Sequence, residues 1–204
     1  MPSRVIPAFE YRRERWRNGA GWTRAIHAEP SSSRNTPEAA DAWRWRVSIA
    51  EIAADAPFST FPGVDRELVL LAGDGLRLRF EDTTVELQPP FGRHRFAGEA
   101  AVAGELLGGA TQDFNLMWRR DEIDAMLWHR PLVGAMVIFA EPGSTWLVHL
   151  LAGHARFADG SGLADLAQGD TAILQAQDAR LRHVLDGGGE ALLARLQPIA
   201  PTSG

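Results

Sequence analysis

The chain of 204 residues contains no cysteine and no lysine. Without cysteine it cannot form disulfides, thiolate metal sites or a thiol nucleophile. Without lysine, Schiff-base catalysis is disfavoured, and so is a phosphate-binding loop that ends in lysine. All 21 basic residues are therefore arginine. An anion would therefore be bound by the planar guanidinium of arginine, which can hold a carboxylate through two parallel hydrogen bonds.

Long hydrophobic runs and an excess of positive charge are also missing. No apolar run approaches the 18 residues of a membrane span, and charges from Arg4 onward leave no room for a secretory signal. The formal net charge of −5 argues against an extended nucleic-acid surface. The basic stretch 12–17 is interrupted by Glu14 and Trp16, which favours a solvated strand or turn. We therefore expect a cytoplasmic protein with neither membrane nor nucleic acid as a partner.

Short strands, separated by glycine and proline turns, dominate the remaining pattern. In the segment 43–50, Trp43, Trp45, Val47 and Ile49 alternate with polar or small residues, which is the period of a strand. Segments 66–73 and 76–80, separated by Gly73, Asp74 and Gly75, predict a hairpin. The best helical pattern covers 121–128. These features predict an all-β fold, a barrel or jelly roll with few short helices.

A weak internal repeat suggests two tandem β-units. The string LLAG occurs at 70–73 and again at 150–153, and each copy is expected to close an apolar strand and open a turn. We place the first unit at residues 1–130 and the second, smaller unit at 131–204.

The usual catalytic and metal-binding strings are missing from the sequence. It has no GxSxG, HExxH, CxxC or GxGxxG motif, and no two of its six histidines are two or four residues apart. We therefore expect no metal and no cofactor. For proton transfer only two candidates stand out, His94 at a change from loop to strand and Asp113 on an apolar strand.

Polar side chains on apolar strands form the best candidate for a binding site. Arg46 and Ser48 share one strand face, and Asp113 and Asn115 share another. If the aromatic face of the first strand is packed, Arg46 and Ser48 point into a cavity; otherwise they line a solvated face. A buried Asp113 requires a charged partner, for which Arg46 and Arg66 are available.

Two loops add further candidates. In PFSTFPGVDR (57–66), Phe58 and Phe61 anchor a compact turn with Ser59 and Arg66 at its polar ends, which is either a pocket wall or a hydrophobic plug. In RNGAGWTR (17–24), Asn18 and Thr23 lie beside two glycines that allow close backbone approach to a ligand. The alternative for this second loop is an Asn-Gly turn packed under tryptophan.

Four segments together resemble the HutD/Ves family of bacterial proteins. They are WRNGAGWTRAI (16–26), WRVSIAEI (45–52), APFSTFPGVDREL (56–68) and DFNLMWRR (113–120). The resemblance implies a double-stranded β-helix in tandem, a bicupin, and an association with histidine utilisation as a regulator or small-ligand binder. It covers the first 120 residues. The motif residues that it carries over are Asn18, Gly19, Gly21, Thr23, Arg46, Ser48, Ser59, Phe61, Pro62, Gly63, Arg66, Asp113 and Asn115.

The expected function is that of a metal-free bicupin that binds a small carboxylate such as formylglutamate. Metal-dependent cupins carry two histidines one residue apart, and the corresponding segment 68–80 supplies none. The expected ligand-binding residues are Asn18, Thr23, Arg46, Ser48, Ser59, Phe61, Arg66 and Asn115. Two alternatives stay open: a metal-independent isomerase or hydrolase that uses His94 or Asp113, and a non-catalytic interaction protein such as a homodimer.

Overall fold

The computed structural model describes residues 2–16, 18–31 and 43–199, and most of these lie in β-strands. Their one helix is the 3-10 turn Ala8–Glu10, and none of them forms a helix long and apolar enough to cross a membrane. The all-β prediction is confirmed. The strands are β1 Arg4–Ile6, β2 Arg12–Arg15, β3 Gly21–Pro30, β4 Trp43–Ile52, β5 Ala56–Pro57, β6 Val64–Ala72, β7 Leu76–Arg79, β8 Thr84–Leu87, β9 Arg93–Ala97, β10 Ala103–Leu106, β11 Thr111–Arg119, β12 Ile123–Ala140, β13 Thr145–Phe157, β14 Leu166–Ala167, β15 Thr171–Gln175 and β16 Leu181–Pro198.

The first compact unit spans Arg12–Glu122 and consists of two facing antiparallel sheets. One has the strand order β2-β3-β4-β11-β6-β9, and the other has the order β5-β10-β7-β8. Leu68 and Leu70 of the first sheet pack with Leu76 and Leu78 of the second in one buried cluster. The interior of this unit is therefore the space between the two sheets.

The second unit comprises Met1–Tyr11 and Ile123–Gly204. Its sheet runs β1-β15-β13-β16-β12, with β14 paired to β13. The N-terminal segment is tied in because the Tyr11 hydroxyl lies 2.7 Å from the carbonyl oxygen of Gly169 and 2.7 Å from Thr171 Oγ1. This division differs from the predicted one at residue 130, since β12 runs through that position and the first 11 residues belong with the second unit.

Two local predictions are wrong. Strands β6 and β7 do not form a hairpin, because β6 pairs with β9 and β11 whereas β7 pairs with β8 and β10. Gly73 and Gly75, both at positive φ, carry the chain from one sheet to the other. The predicted helix 121–128 is the start of β12, where Ile123, Ala125 and Leu127 are buried and the residues between them are more exposed.

The second LLAG copy also differs from its expected role, because it lies inside β13 and does not end a strand. The register between β13 and β16 shifts between Leu150 and Ala152, and Gly153 follows at φ 86°. A Cβ on Gly153 would collide with the carbonyl oxygen of Gly188. This irregularity depends on glycine at both strands.

We expect Gly153→Ala to destabilise the protein much more than Gly134→Ala. Gly134 also has positive φ, at 74°, but an added Cβ there meets no atom within 4 Å. The φ penalty alone costs about 1–2 kcal/mol, and a backbone collision raises the loss at Gly153 to roughly 3 kcal/mol or more. Denaturant unfolding of both variants measures the difference. An equal loss of unfolding free energy in the two variants would contradict the close approach of β13 and β16 at Gly153.

Candidate ligand site

The central strands of the first unit bring polar side chains onto the face that lines its interior. Side chains of directly paired residues share a face of the sheet. In the register of β3, β4, β11, β6 and β9, three successive rows cross this face. They are Thr23, Ala50, Asp113 and Leu70; then Ala25, Ser48, Asn115, Leu68 and His94; then Arg46, Met117, Arg66 and Phe96. Ala50, Leu68, Leu70 and Phe96 belong to the buried cluster between the sheets, so this is the inner face.

Arg66 places a guanidinium in the apolar interior. It is 6% exposed, and its Cζ lies 5.2 to 5.8 Å from the ring centres of Phe58, Phe61 and Phe96. One terminal nitrogen donates to the carbonyl oxygen of Ser59 at 3.3 Å, while Nε has no hydrogen-bond partner. Within the described part of the chain, no carboxylate pairs with it. Burial, and secondly the charge of Arg46, lower the pKa of Arg66 to about 10.

Trp43 also lies beside the two arginines Arg46 and Arg66, a position that the sequence did not predict. Its ring lies 5.5 Å from Arg46 Cζ and 6.3 Å from the ring of Phe61, so it shares the inner face with Arg46. The strict alternation predicted for 43–50 is therefore wrong at its first residue. The register between β3 and β4 shifts between Glu29 and Pro30, and this bulge turns Trp43 inward. Its buried Nε1 has no hydrogen-bond partner.

Asp113 lies at the other end of the same face. It is 0% exposed, and its Oδ2 accepts a 2.7 Å hydrogen bond from Thr111 Oγ1, while Oδ1 has no partner. The expected arginine partner is not there, because Arg46 and Arg66 stand in the row of Met117, four residues further along β11. Burial, only partly offset by the Thr111 bond, raises the pKa of Asp113 to about 7.

Ser48 and Asn115 occupy the row between Asp113 and the arginines. They are direct neighbours on β4 and β11, and they are 3% and 6% exposed. Asn115 Nδ2 lies 3.5 Å from Met117 Sδ, while Asn115 Oδ1 and Ser48 Oγ have no partner. Buried polar atoms are normally hydrogen-bonded, so a group of them left open on one face calls for an explanation. A bound ligand would satisfy them.

The structure brings some of the predicted residues together and leaves others apart. Arg46, Ser48, Phe61, Arg66, Asp113 and Asn115 share the inner face or touch its arginines. Asn18 is exposed, and its Oδ1 accepts from the Ala20 amide in a turn. Thr23 lies in the Asp113 row, but its Oγ1 already accepts from Trp16 Nε1 at 2.9 Å. The exposed Ser59 contributes its carbonyl oxygen to Arg66.

His94 remains at the edge of the sheet. Its ring stacks on Phe96 at 6.1 Å and meets the edge of Phe80 at 5.6 Å. Burial lowers the pKa of His94, which favours the neutral imidazole. Across residues 2–16, 18–31 and 43–199, no three His, Cys, Asp or Glu side chains converge as metal ligands. The donor set on the inner face, an amide, a hydroxyl and guanidiniums around a single carboxyl, does not suit the metal of metal-dependent cupins.

Comparison with known proteins decides the family, since the HutD family model matches residues 8–193. The chain belongs to the HutD family. Among curated relatives it is 38% identical over 123 residues to an uncharacterized 21.2 kDa protein in the hutC 3′ region of Pseudomonas putida. It is 40% identical over 114 residues to Protein Ves of Citrobacter koseri. These matches cover 60% and 54% of this HutD chain, and 62% and 54% of those relatives' lengths.

Solved structures share the fold of this HutD chain over nearly its whole length. HutD from Pseudomonas fluorescens SBW25, solved in a formate condition, superposes with a TM-score of 0.81 at 24% identity and covers 97% of this chain and 100% of its own. Oxalate decarboxylase from Lactobacillus farciminis, in a formate complex, superposes at 0.61 with 10% identity, 96% of this chain and 86% of its own. That likeness shows the cupin fold alone. Family membership supports the association with histidine utilisation.

We expect Arg66→Met to leave the fold intact and to stabilise it by about 1–3 kcal/mol. Methionine keeps the apolar contacts with the phenylalanines and removes a buried charge that repels Arg46. The control is Arg79→Met, an exposed arginine of the same unit, for which the change should stay within about 0.5 kcal/mol. Denaturant unfolding measures both. A clear destabilisation by Arg66→Met would mean that the guanidinium is needed for folding and not for a ligand.

Asp113 should make the stability of the protein fall as the pH rises. Its pKa in the folded state is about 7 against an ordinary 3.8, so the folded state binds the proton more tightly than the unfolded state. The stabilisation by the neutral carboxyl is complete below pH 4 and is lost as the pH rises toward and beyond 7. Between pH 5 and 8 we expect the wild type to lose roughly 2–3 kcal/mol relative to Asp113→Asn. The exposed Asp82→Asn should follow the wild-type profile; if Asp113→Asn does so too, the carboxyl is not neutral in the fold.

Proposed function

We propose that this protein is a metal-independent binder of a small carboxylate metabolite in the cytoplasm and that it moderates histidine utilisation. One observation carries the proposal: Arg66 is buried beside Arg46 on the inner face of the first unit, and no carboxylate of the described chain neutralises it. An isolated buried charge is costly, by several kcal/mol even after relaxation. A bound anion would remove that cost.

The aromatic rings around Arg66 strengthen this interpretation. Cation–π contacts contribute about 0.5–2 kcal/mol each and hold the guanidinium in place, but they do not supply its hydrogen-bond acceptors. The guanidinium carbon lies over the rings of Phe58, Phe61 and Phe96, and its Nε–H, which has no partner, is left for a ligand. A carboxylate, which is planar and accepts two parallel hydrogen bonds, matches this geometry.

The ligand that best fits both the side chains of the site and the family's association with histidine utilisation is formylglutamate or a close analogue. It offers carboxylates for Arg46 and Arg66, and an amide that can both donate to and accept from Ser48 and Asn115. The oxalate decarboxylase that shares this fold was solved as a formate complex, which supports a small carboxylate as a ligand on the fold. Since the sequence has no DNA-reading element, regulation would act by sequestering the ligand or through a protein partner.

Titration calorimetry with formylglutamate, glutamate, urocanate and formate tests the proposal. We expect formylglutamate to bind at millimolar concentration or below. Loss of a charge-assisted hydrogen bond is worth about 1.5–3 kcal/mol, so Arg46→Met and Arg66→Met should each weaken binding roughly 10- to 150-fold. The matched control Arg79→Met should bind as the wild type does.

Two results would contradict this function. Lack of binding by all four compounds would remove it, and so would unchanged affinity in both arginine variants. The same samples followed by NMR distinguish the binder from an isomerase or hydrolase that uses Asp113 or His94 for proton transfer. A binder returns the ligand unchanged, whereas accumulating product that disappears in Asp113→Asn would assign an enzyme.

A further inference from the structure

Among the described residues of the first unit, seven buried side-chain atoms have no hydrogen-bond partner, and the five on the inner face are sorted by chemistry. The other two, Arg24 Nε and Arg44 Nε, belong to half-exposed arginines. At the Met117 end of the face, the atoms without a partner are both N–H donors. They are Arg66 Nε, in the row of Met117, and Trp43 Nε1, which packs against Met117. In the rows toward Thr111, the open atoms of Asn115 and Asp113 are both Oδ1 oxygens. Ser48 Oγ, which can donate or accept, stands in the row of Asn115. A ligand that satisfies all of them must itself have two different ends.

The residues around Asp113 indicate which end of such a ligand it would bind. Its row neighbours on β3, β4 and β6 are Thr23, Ala50 and Leu70, and along β11 it meets Thr111 and Asn115. None of these carries a charge, and Thr111 Oγ1 already donates to Oδ2. The open Oδ1 therefore lacks a donor, and no described residue around it supplies one.

We propose that the ligand is an amino-acid derivative with a carboxylate at one end, held by Arg46 and Arg66, and an N–H group at the other, held by Asp113 and Asn115. An ammonium or amidinium, which brings a positive charge to the carboxylate of Asp113, is the strongest form of such a donor. This inference rests on the proposed function, because it uses the same arginines. It adds that a simple monocarboxylate or a symmetric dicarboxylate fills only half of the site.

The spacing of the two ends sets the size of the ligand. Asp113 and Met117 are four residues apart on β11, about 13 Å at the rise of an antiparallel strand. With side chains standing roughly perpendicular to the sheet, the two ends keep about this spacing along the strand, and two hydrogen bonds of about 3 Å leave roughly 7 Å between the charged groups of a ligand that bridges the rows. A chain of about five carbons has this length.

Binding of such a ligand should be linked to protons at Asp113. Burial keeps its pKa near 7, so at neutral pH part of the protein carries a neutral Asp113. A positive N–H group pairs with the ionised form and lowers that pKa, so its binding releases protons and tightens as the pH rises from 6 to 8. A second carboxylate at the same place would require the protonated form and would bind more weakly as the pH rises.

Three probes of similar length test the inference by calorimetry: pentanoate, 5-aminopentanoate and glutarate. We expect wild-type protein at pH 8 to bind 5-aminopentanoate at least 10-fold more tightly than pentanoate, and more tightly than glutarate. In Asp113→Asn the preference over pentanoate should fall below about 3-fold, whereas the matched surface variant Asp82→Asn should keep it. Titrations in buffers of different ionisation enthalpy should show proton release with 5-aminopentanoate.

The outcomes separate this inference from the proposed function. If pentanoate or glutarate binds and 5-aminopentanoate is not preferred, the two-ended site is wrong while carboxylate binding stands. If none of the three probes binds but formylglutamate does, the two-ended site is wrong and the proposed function stands; both fail only if formylglutamate, glutamate, urocanate and formate do not bind either. Should Asp113→Asn not fold, wild-type protein alone still decides, because an affinity for 5-aminopentanoate that does not rise between pH 6 and 8 overturns the role of Asp113.

Discussion

The site of this protein depends on one unfavourable arrangement, a guanidinium buried beside another guanidinium. Arg66 is enclosed by three phenylalanine rings and a carbonyl oxygen. Arg46 stands in the same row with Met117 between them, and its charge adds to the lowering of the Arg66 pKa. Contacts with the rings offset only part of the free energy that desolvation costs, which is several kcal/mol per ion. A fold selected for stability alone would place an apolar side chain at this position. The buried charge of Arg66 is therefore the main support for the anionic ligand that we propose.

Strand β11 determines where that charge meets other polar groups. Its odd-numbered residues from Thr111 to Arg119 face the interior, and its even-numbered residues Phe114, Leu116 and Trp118 face the other way. All of the inward residues are buried, including Asp113 and Asn115. The period of two in this segment therefore does not separate core from solvent, as it does in most antiparallel sheets. It separates an apolar packing face from a polar face that lines the interior.

The sequence predicts the strands well and their partners poorly. Local alternation located β4, β6, β7 and β11, and it placed Arg46 with Ser48 and Asp113 with Asn115. It could not show that β6 and β7 join different sheets, because Gly73 and Gly75 serve a turn within one sheet as readily as a crossing between two. It likewise missed Trp43, which a bulge turns inward, and it gave Asp113 an arginine that stands two rows away. Each error concerns the pairing of strands that are distant in sequence, and the alternation within one strand gives no information about its partners.

The two units differ in how completely their buried polar groups are hydrogen-bonded, and this difference is the reason we propose the ligand site in the first unit. In the second unit the buried Tyr11, Thr171 and His149 are connected by hydrogen bonds, and the Tyr11 hydroxyl also bonds the carbonyl oxygen of Gly169. Among the described residues of that unit, Gln175 Oε1 is the one buried side-chain atom without a partner. Among the described residues of the first unit, five of the seven such atoms, those on Trp43, Ser48, Arg66, Asp113 and Asn115, share a single inner face. Unsatisfied atoms scattered through a core only weaken it, but atoms gathered on one face and sorted into donors and acceptors form a surface complementary to a ligand.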